Sequence, residues 1–253
     1  MPVQTCPICH GVGWRIVEND GISGAQKCDC RDEGLGVSRV ENSRIPPNFR
    51  GKTLDNFLFE SRRPELESQL RDVWLTVSEF ATGRPKEPGL LLTGEPGSGK
   101  THLAIAALKI RISRGSAGLF CNYQELLNNI ISSYKPEAGA GAREAYREAL
   151  DAEILLIDDL GANRVTEWVQ DTITAIITHR YDNRKPLIAT TNLPDGEAGY
   201  VRAKRSQDNP PDYRRTLADH IGERARSRLF EMCRVVKMPP VDDYRLPSSK
   251  LRH

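Results

Sequence analysis

Apolar positions along this chain of 253 residues fall into two patterns that alternate from about residue 64 onward. One is a short, unbroken apolar run. Leu90 to Leu92, Leu119 to Tyr123, the I-L-L-I of Glu153 to Gly161, and Leu187 to Leu193, which ends in a polar triplet, are of this kind; R-V-V-K-M, ending at Met238, reads as a last strand. Runs of this length, apolar on both faces, suit strands buried inside a parallel sheet. The other pattern has the helical period. Leu66, Leu70, Val73/Trp74, Val77 and Phe80 recur within Pro64 to Thr82, which opens on a proline and closes at Gly83. Leu103, Ala107 and Ile110 share a face of the next segment; Leu126, Leu127, Ile130 and Ile131 do so within Gln124 to Tyr134. A short helix is expected at Arg143 to Leu150. Val165 to Tyr181 carries Trp168, Thr172, Ile173, Ile176, Ile177 and Arg180 as a core stripe, and Thr216 to Phe230 reads as one basic helix. Strand and helix signals in alternation predict an α/β fold, a parallel sheet flanked by helices.

The chemistry sits at strand ends. After Leu90–Leu92 the chain reads T-G-E-P-G-S-G-K-T-H, and Gly94, Gly99, Lys100 and Thr101 fill G-x-x-x-x-G-K-[ST]. Strand, loop and helix follow in the order a phosphate-binding loop needs. Glycines let backbone N–H groups face phosphate oxygens without a Cβ in the way, and the helix N-terminus adds partial positive charge. Gly94, Glu95, Pro96, Gly97, Ser98, Gly99, Lys100, Thr101 and His102 are therefore the expected ATP contacts. Lys100 reaches the β and γ phosphates, and the Thr101 hydroxyl ligates Mg²⁺. The run Glu153 to Gly161 ends in Asp158 and Asp159, at the carboxyl edge where ligands of such sheets bind. Asp158 is expected to hold Mg²⁺ through water and Asp159 to polarise the attacking water. Asn192, at the exit of Leu187 to Leu193, is placed to orient that water beside the γ-phosphate.

Composition refines the picture at the N-terminus. Cys6, Cys9, Cys28 and Cys30 lie in C-P-I-C-H-G-V-G and K-C-D-C. No apolar run approaches a membrane span and no signal-peptide core is visible, so a cytoplasmic chain with reduced thiols is expected. Four thiolates then suit tetrahedral Zn²⁺, with His10 able to replace one; free or redox-active thiols are the other reading. Cys121 and Cys233 read as small core residues. The expected organisation is a zinc-binding module over 1–32, a linker or docking segment over 33–60, and the ATPase domain over 61–253. Pro46 and Pro47 exclude a helix from the linker. Its Ile45, Phe49, Leu54 and Phe57 can dock on the next domain, either as plain packing or beside the adenine. The net charge of +2 is neutral as to partner. Arg202, Lys204, Arg205, Arg214 and Arg215 concentrate positive charge in a Gly/Pro-rich stretch from Asp195 to Tyr213, a candidate DNA contact or simply a solvated loop.

G-E-P-G-S-G-K-T-H-L-A, L-L-I-D-D-L-G, A-T-T-N-L, I-G-E-R-A-R-S-R-L and V-D-D-Y-R occur in that order, after I-P-P-N-F-R-G-K-T-L-D-N-F. The set resembles the AAA+ ATPases of the DnaC/DnaI helicase-loader and IstB group over about residues 45–250. The resemblance implies that Lys100 and Thr101 are Walker A, Asp158 and Asp159 Walker B, and Asn192 sensor 1. It implies that Arg228 is an arginine finger offered to a neighbouring subunit, with Arg224 as the other candidate, and that Arg245 is the sensor-2 arginine. It implies an ATPase active on self-assembly that loads a hexameric replicative helicase onto single-stranded DNA, the cysteine module gripping the helicase. An IstB-type transposition helper, or an ATP-binding DNA-binding protein with little hydrolysis, are the alternatives.

Overall fold

The computed structural model describes residues 14–19, 22–27, 39–59, 63–83, 86–132, 141–162, 165–196 and 216–244. Five parallel strands form the central sheet: β3 (Gly89–Thr93), β4 (Gly118–Asn122), β5 (Ile154–Asp158), β6 (Leu187–Thr191) and β7 (Cys233–Lys237), in the order β4-β5-β6-β3-β7. Both faces are covered. Leu90, Leu92, Ile154 and Leu156 point to one, into a core with α1 (Pro64–Thr82) and α2 (Lys100–Ser113). Leu91, Leu155 and Ile157 point to the other, with α3 (Tyr123–Ser132), α5 (Glu167–Asp182), α6 (Leu217–Ile221) and α7 (Glu223–Met232). The expected parallel α/β sheet is thus observed. Helix α2 is buried from Leu103 to Leu108 on every side, as a helix between a sheet and another helix must be.

Several local readings are corrected. The single basic helix breaks at Gly222, whose φ of 85° a glycine adopts without strain. The first half, α6, starts on a capping box between Thr216 and Asp219. Ile131, expected inward, is among the exposed large apolar residues; α3 begins a residue early, at Tyr123, and its buried face is made by Tyr123, Leu126, Leu127 and Ile130. The proline pair does not exclude helix altogether: Pro47–Phe49 is a 3₁₀ turn with proline in its first turn, where no N–H is required. Within the cysteine-bearing segment lies a hairpin that the pattern analysis did not anticipate, β1 (Trp14–Asn19) against β2 (Ile22–Lys27). Cys6, Cys9, Cys28 and Cys30 lie outside the described residues, and with them the zinc reading.

A buried cation ties the far edge of the sheet together. Arg180 of α5 is 0% exposed and donates to the carbonyls of Ala149, Ala152, Glu153 and Pro186. These carbonyls belong to α4 (Gly141–Asp151) and to the chain entering β5 and β6. Burial lowers the Arg180 pKa to about 10, still far above neutrality, so the guanidinium stays charged and uses its fork of donors.

Candidate functional site

The loop between β3 and α2 turns on three glycines with positive φ: Gly94 at 144°, Gly97 at 77° and Gly99 at 94°. All three are also crowded, and a Cβ on Gly97 would run into the Asp243 carboxylate. A Cβ on Gly94 would come within 2.8 Å of Met238, and one on Gly99 within 2.8 Å of the Phe57 ring. The loop is therefore held from outside by distant parts of the chain. Met238 N–H donates to the Thr93 carbonyl at 2.8 Å, and Tyr244 N–H to the Gly97 carbonyl at 3.3 Å.

Lys100, the first residue of α2, is 5% exposed; its Nζ donates to the Glu95 carbonyl at 2.7 Å and lies 3.4 Å from Ser98 Oγ. An ammonium drawn into its own loop is a cation aimed at the space the loop surrounds. Thr101 Oγ1 donates to Asp158 Oδ1 at 2.8 Å, joining helix α2 to the tip of β5. Asp158 is 6% exposed. Burial raises its pKa, while the hydroxyls of Thr190 and Thr101 and the charge of Lys100 oppose that rise. Asp159 follows with φ of 55°, a left-handed turn that redirects its carboxylate away from the strand. Asn192 Nδ2 donates to Asp159 Oδ1 at 3.2 Å.

These groups border one cavity of about 400 Å³, lined by Gly97, Gly99, Lys100, Thr101, His102, Asp159 and Asn192 at one end. Asn48, Phe49, Lys52, Asn56, Phe57, Leu58 and Tyr244 line the rest. The linker residues Ile45, Leu54 and Phe57 are buried in the core beside α1 and α2, so this strap is packed, not loose. His102 turns toward it: Nε2 is 2.7 Å from the Thr53 carbonyl, which fixes the ring as an Nε2–H donor, and the ring meets Phe57 edge-on at 5.3 Å. Burial lowers the His102 pKa. The Thr101 hydroxyl and Asp158 carboxylate oxygens beside a Cβ-free glycine loop fit a hard cation such as Mg²⁺, which they would hold. Among the described residues no group of three or more His, Cys, Asp and Glu is placed to hold a metal ion by itself.

The arginines are placed differently. Arg228 of α7 does not line the cavity; its guanidinium sits 5.7 Å from the centroid of the Tyr181 ring. Arg224, on the same helix, is exposed. Arg245 lies outside the described residues, one position beyond Tyr244, whose N–H holds the loop. Arg202, Lys204, Arg205, Arg214 and Arg215 lie outside them too. Two functional positions escaped the sequence reading. Thr190 bridges the paired acids, and its signal was the threonine pair of A-T-T-N. Tyr244 closes the cavity, and its signal was the aromatic inside V-D-D-Y-R.

A five-stranded parallel sheet with a glycine loop, a buried lysine and a threonine–aspartate pair at its carboxyl edge defines a P-loop nucleotide-binding protein. The chain belongs to the IstB-like ATP binding protein family, whose sequence model matches residues 52–203. It is 27% identical over 181 residues to YqaM of Bacillus subtilis (strain 168), covering 67% of this chain and 55% of that protein. It is 22% identical over 153 residues to the replicative helicase loader DnaC of Escherichia coli (strain K12), covering 60% and 62%. A crystal structure of the DnaC helicase loader superposes with a TM-score of 0.57 at 28% identity, over 77% of this chain and 100% of that one. The chain thus spans little more than half the length of the curated relatives it matches. The resemblance to the helicase-loader and IstB group is borne out, and no described helix is long and apolar enough to cross a membrane.

Proposed function

We propose that the chain hydrolyses ATP slowly and uses ATP binding as the switch by which it loads a replicative helicase onto single-stranded DNA. The observation that carries the ATPase half is the chain of contacts from Thr101 through Asp158 to Thr190 and Asp159, ending on Asn192, beside Lys100. In this reading the loop amides and Lys100 hold the β and γ phosphates. Thr101 and Asp158 hold Mg²⁺, which neutralises phosphate charge when bound. The Asp159 carboxylate accepts the proton of the attacking water, and Asn192 keeps that carboxylate turned toward it. Asp159 is shorter than glutamate, which suits slow turnover.

Charge stabilisation at the γ-phosphate is the remaining need. Arg228, away from its own cavity, would supply it to a neighbouring copy, and Arg245 to its own nucleotide. Mixing Lys100→Ala with Arg228→Ala protein tests this: each is inactive alone, and together they regain activity if the finger acts between subunits. Equal inactivity of the mixture would remove Arg228 from that role in favour of Arg224.

The helicase half rests on similarity to the helicase loader DnaC, with the cysteine module and its Zn²⁺ as the expected grip. Co-purification of the host's replicative helicase, with and without ATP and with residues 1–32 removed, tests it. ATP-dependent capture lost on the deletion is the expected result. The family match favours a second reading, a transposition helper of the IstB type. Failure to capture helicase, with ATP-dependent coating of duplex DNA, would select that reading instead.

A further inference from the structure

Strand β6 lies in the middle of the sheet, between β5 and β3, and ends in two threonines that are both 0% exposed. A hydroxyl in an apolar sheet is costly unless its hydrogen-bonding capacity is used. Both threonines use it on the same target, the turn that follows β5. Thr191 Oγ1 donates to the Leu160 carbonyl at 2.8 Å and accepts from Leu193 N–H at 3.1 Å. The Thr190 carbonyl accepts from Leu160 N–H at 2.8 Å. Those contacts act on backbone groups alone.

The Thr190 hydroxyl does something else. It donates to Asp158 Oδ1 at 2.7 Å and accepts from Asp159 N–H at 2.9 Å. One oxygen atom therefore touches the side chain of the first acid and the main chain of the second. The two acids need opposite treatment. Asp158 must stay as a buried carboxylate facing Thr101, whose hydroxyl reaches the same Oδ1 at 2.8 Å. Asp159 must leave the strand in a left-handed conformation, φ 55°, that a side-chain-bearing residue adopts at some cost. Its N–H, freed from the sheet ladder by that turn, needs a partner, and the hydroxyl provides it.

We propose that Thr190 is a positioning residue for the hydrolytic centre: its hydroxyl fixes the separation and relative direction of the Asp158 and Asp159 carboxylates. This rests on the reading of the site as an ATP-hydrolysing centre, but its local consequence does not need ATP. Valine has nearly the shape of threonine, so packing alone would tolerate Thr190→Val. What valine removes is the donor to Asp158 and the acceptor for Asp159.

The test uses the full chain with T190V and T190S, and T190A as a second hydroxyl-free variant should T190V not fold. The first readout is amide hydrogen exchange in nucleotide-free protein. Without the hydroxyl, exchange at Asp159 speeds up by about tenfold or more, as for one lost hydrogen bond. Exchange at Leu160, held by the Thr190 backbone carbonyl, stays slow in every variant. T190S keeps both amides slow. The second readout is steady-state hydrolysis. The hydroxyl-free variants lose about 10–100-fold in kcat, the usual cost of removing a group that orients a ligating or reacting residue, with KM for ATP moving less than about threefold. T190S retains turnover. Wild-type exchange at Asp159 together with wild-type kcat in T190V would overturn the proposal. A wild-type chain that hydrolyses no ATP would sink the ATPase reading instead, and the exchange result would still decide the role of Thr190.

Discussion

At the phosphate end of the cavity, the lining comes from one short stretch of chain, Gly97, Gly99, Lys100, Thr101 and His102, and from the tips of two neighbouring strands at Asp159 and Asn192. At the opposite end it comes from residues 48–58 and from Tyr244, parts of the chain separated by the whole sheet. Polar groups in the first region are bonded to one another: Thr101 to Asp158, Asp158 to Thr190, Asn192 to Asp159. In the second the contacts are aromatic, Phe57 meeting Phe59, His102 and Tyr244 edge-on. The phosphate end can thus be rigid by itself, because its members are fixed by sheet register and hydrogen bonds. The other end is held by packing and by hydrogen bonds that α1 and α2 send to strap carbonyls, Trp74 Nε1 to Leu54 and Lys109 Nζ to Arg50 and Lys52, and it touches the first at few points. Phe57 lies against Gly99, His102 binds the Thr53 carbonyl, and Asp243 and Tyr244 lie on Gly97.

That difference yields a graded set of outcomes. The largest belongs to the phosphate end: Asp159→Asn is expected to lower ATP turnover by about 10²–10⁴-fold, the usual loss on removing a general base, while ATP affinity stays within a few-fold. Steady-state hydrolysis beside equilibrium binding checks it, and equal loss of both would mean that Asp159 holds the nucleotide rather than water. Next is Gly97→Ala, where the two ends meet. Its φ of 77° costs a non-glycine residue roughly 1–2 kcal/mol, and the new methyl meets the Asp243 carboxylate. Weaker ATP binding, by about tenfold, together with faster proteolysis after Met238 is the expected pair of results.

A smaller effect is expected from His102→Ala, which removes one neutral hydrogen bond to the strap, worth about 0.5–1.5 kcal/mol, and so weakens ATP binding about two- to tenfold without changing kcat. The same residue predicts a pH trend. Its folded pKa lies below the ordinary value of 6.5, so below that pH the unfolded chain takes up a proton that the folded one resists. The His102 contribution to stability is therefore complete at neutral pH and falls as pH drops below about 6.5; thermal unfolding of His102→Ala should show a shallower loss. Smallest is Glu148→Gln, far from the cavity. Its pair with Arg44 is bidentate, at 2.7 and 2.6 Å, but the arginine side chain is 56% exposed, so about 1 kcal/mol or less is at stake. No change in ATP affinity should accompany it.

How much of this was legible in the sequence follows the same division. The strands were readable from short apolar runs, α1, α2 and α5 from apolar positions at the helical period, and the phosphate loop because its motif fixes backbone geometry within a few residues. Thr190 was visible as a letter but not as a contact, since its partners lie on the neighbouring strand, 31 and 32 residues earlier. The strap was apolar enough to suggest docking, yet nothing local could show that Phe57 would reach Gly99. The break at Gly222 was missed because the basic and apolar spacing continues through it, and a glycine inside a helical pattern is by itself a weak stop signal.

The central claim is that Lys100 and the Thr101–Asp158 pair grip a triphosphate with Mg²⁺ at the mouth of the sheet. Calorimetric titration of ATP into the purified chain, with and without Mg²⁺, beside Lys100→Ala, tests it most directly. The account predicts tighter binding with Mg²⁺ and a loss of about 10–100-fold in Lys100→Ala, as for a charged hydrogen bond of roughly 1.5–3 kcal/mol. Affinity for ATP that is indifferent to both Mg²⁺ and Lys100, or absent altogether, would contradict it.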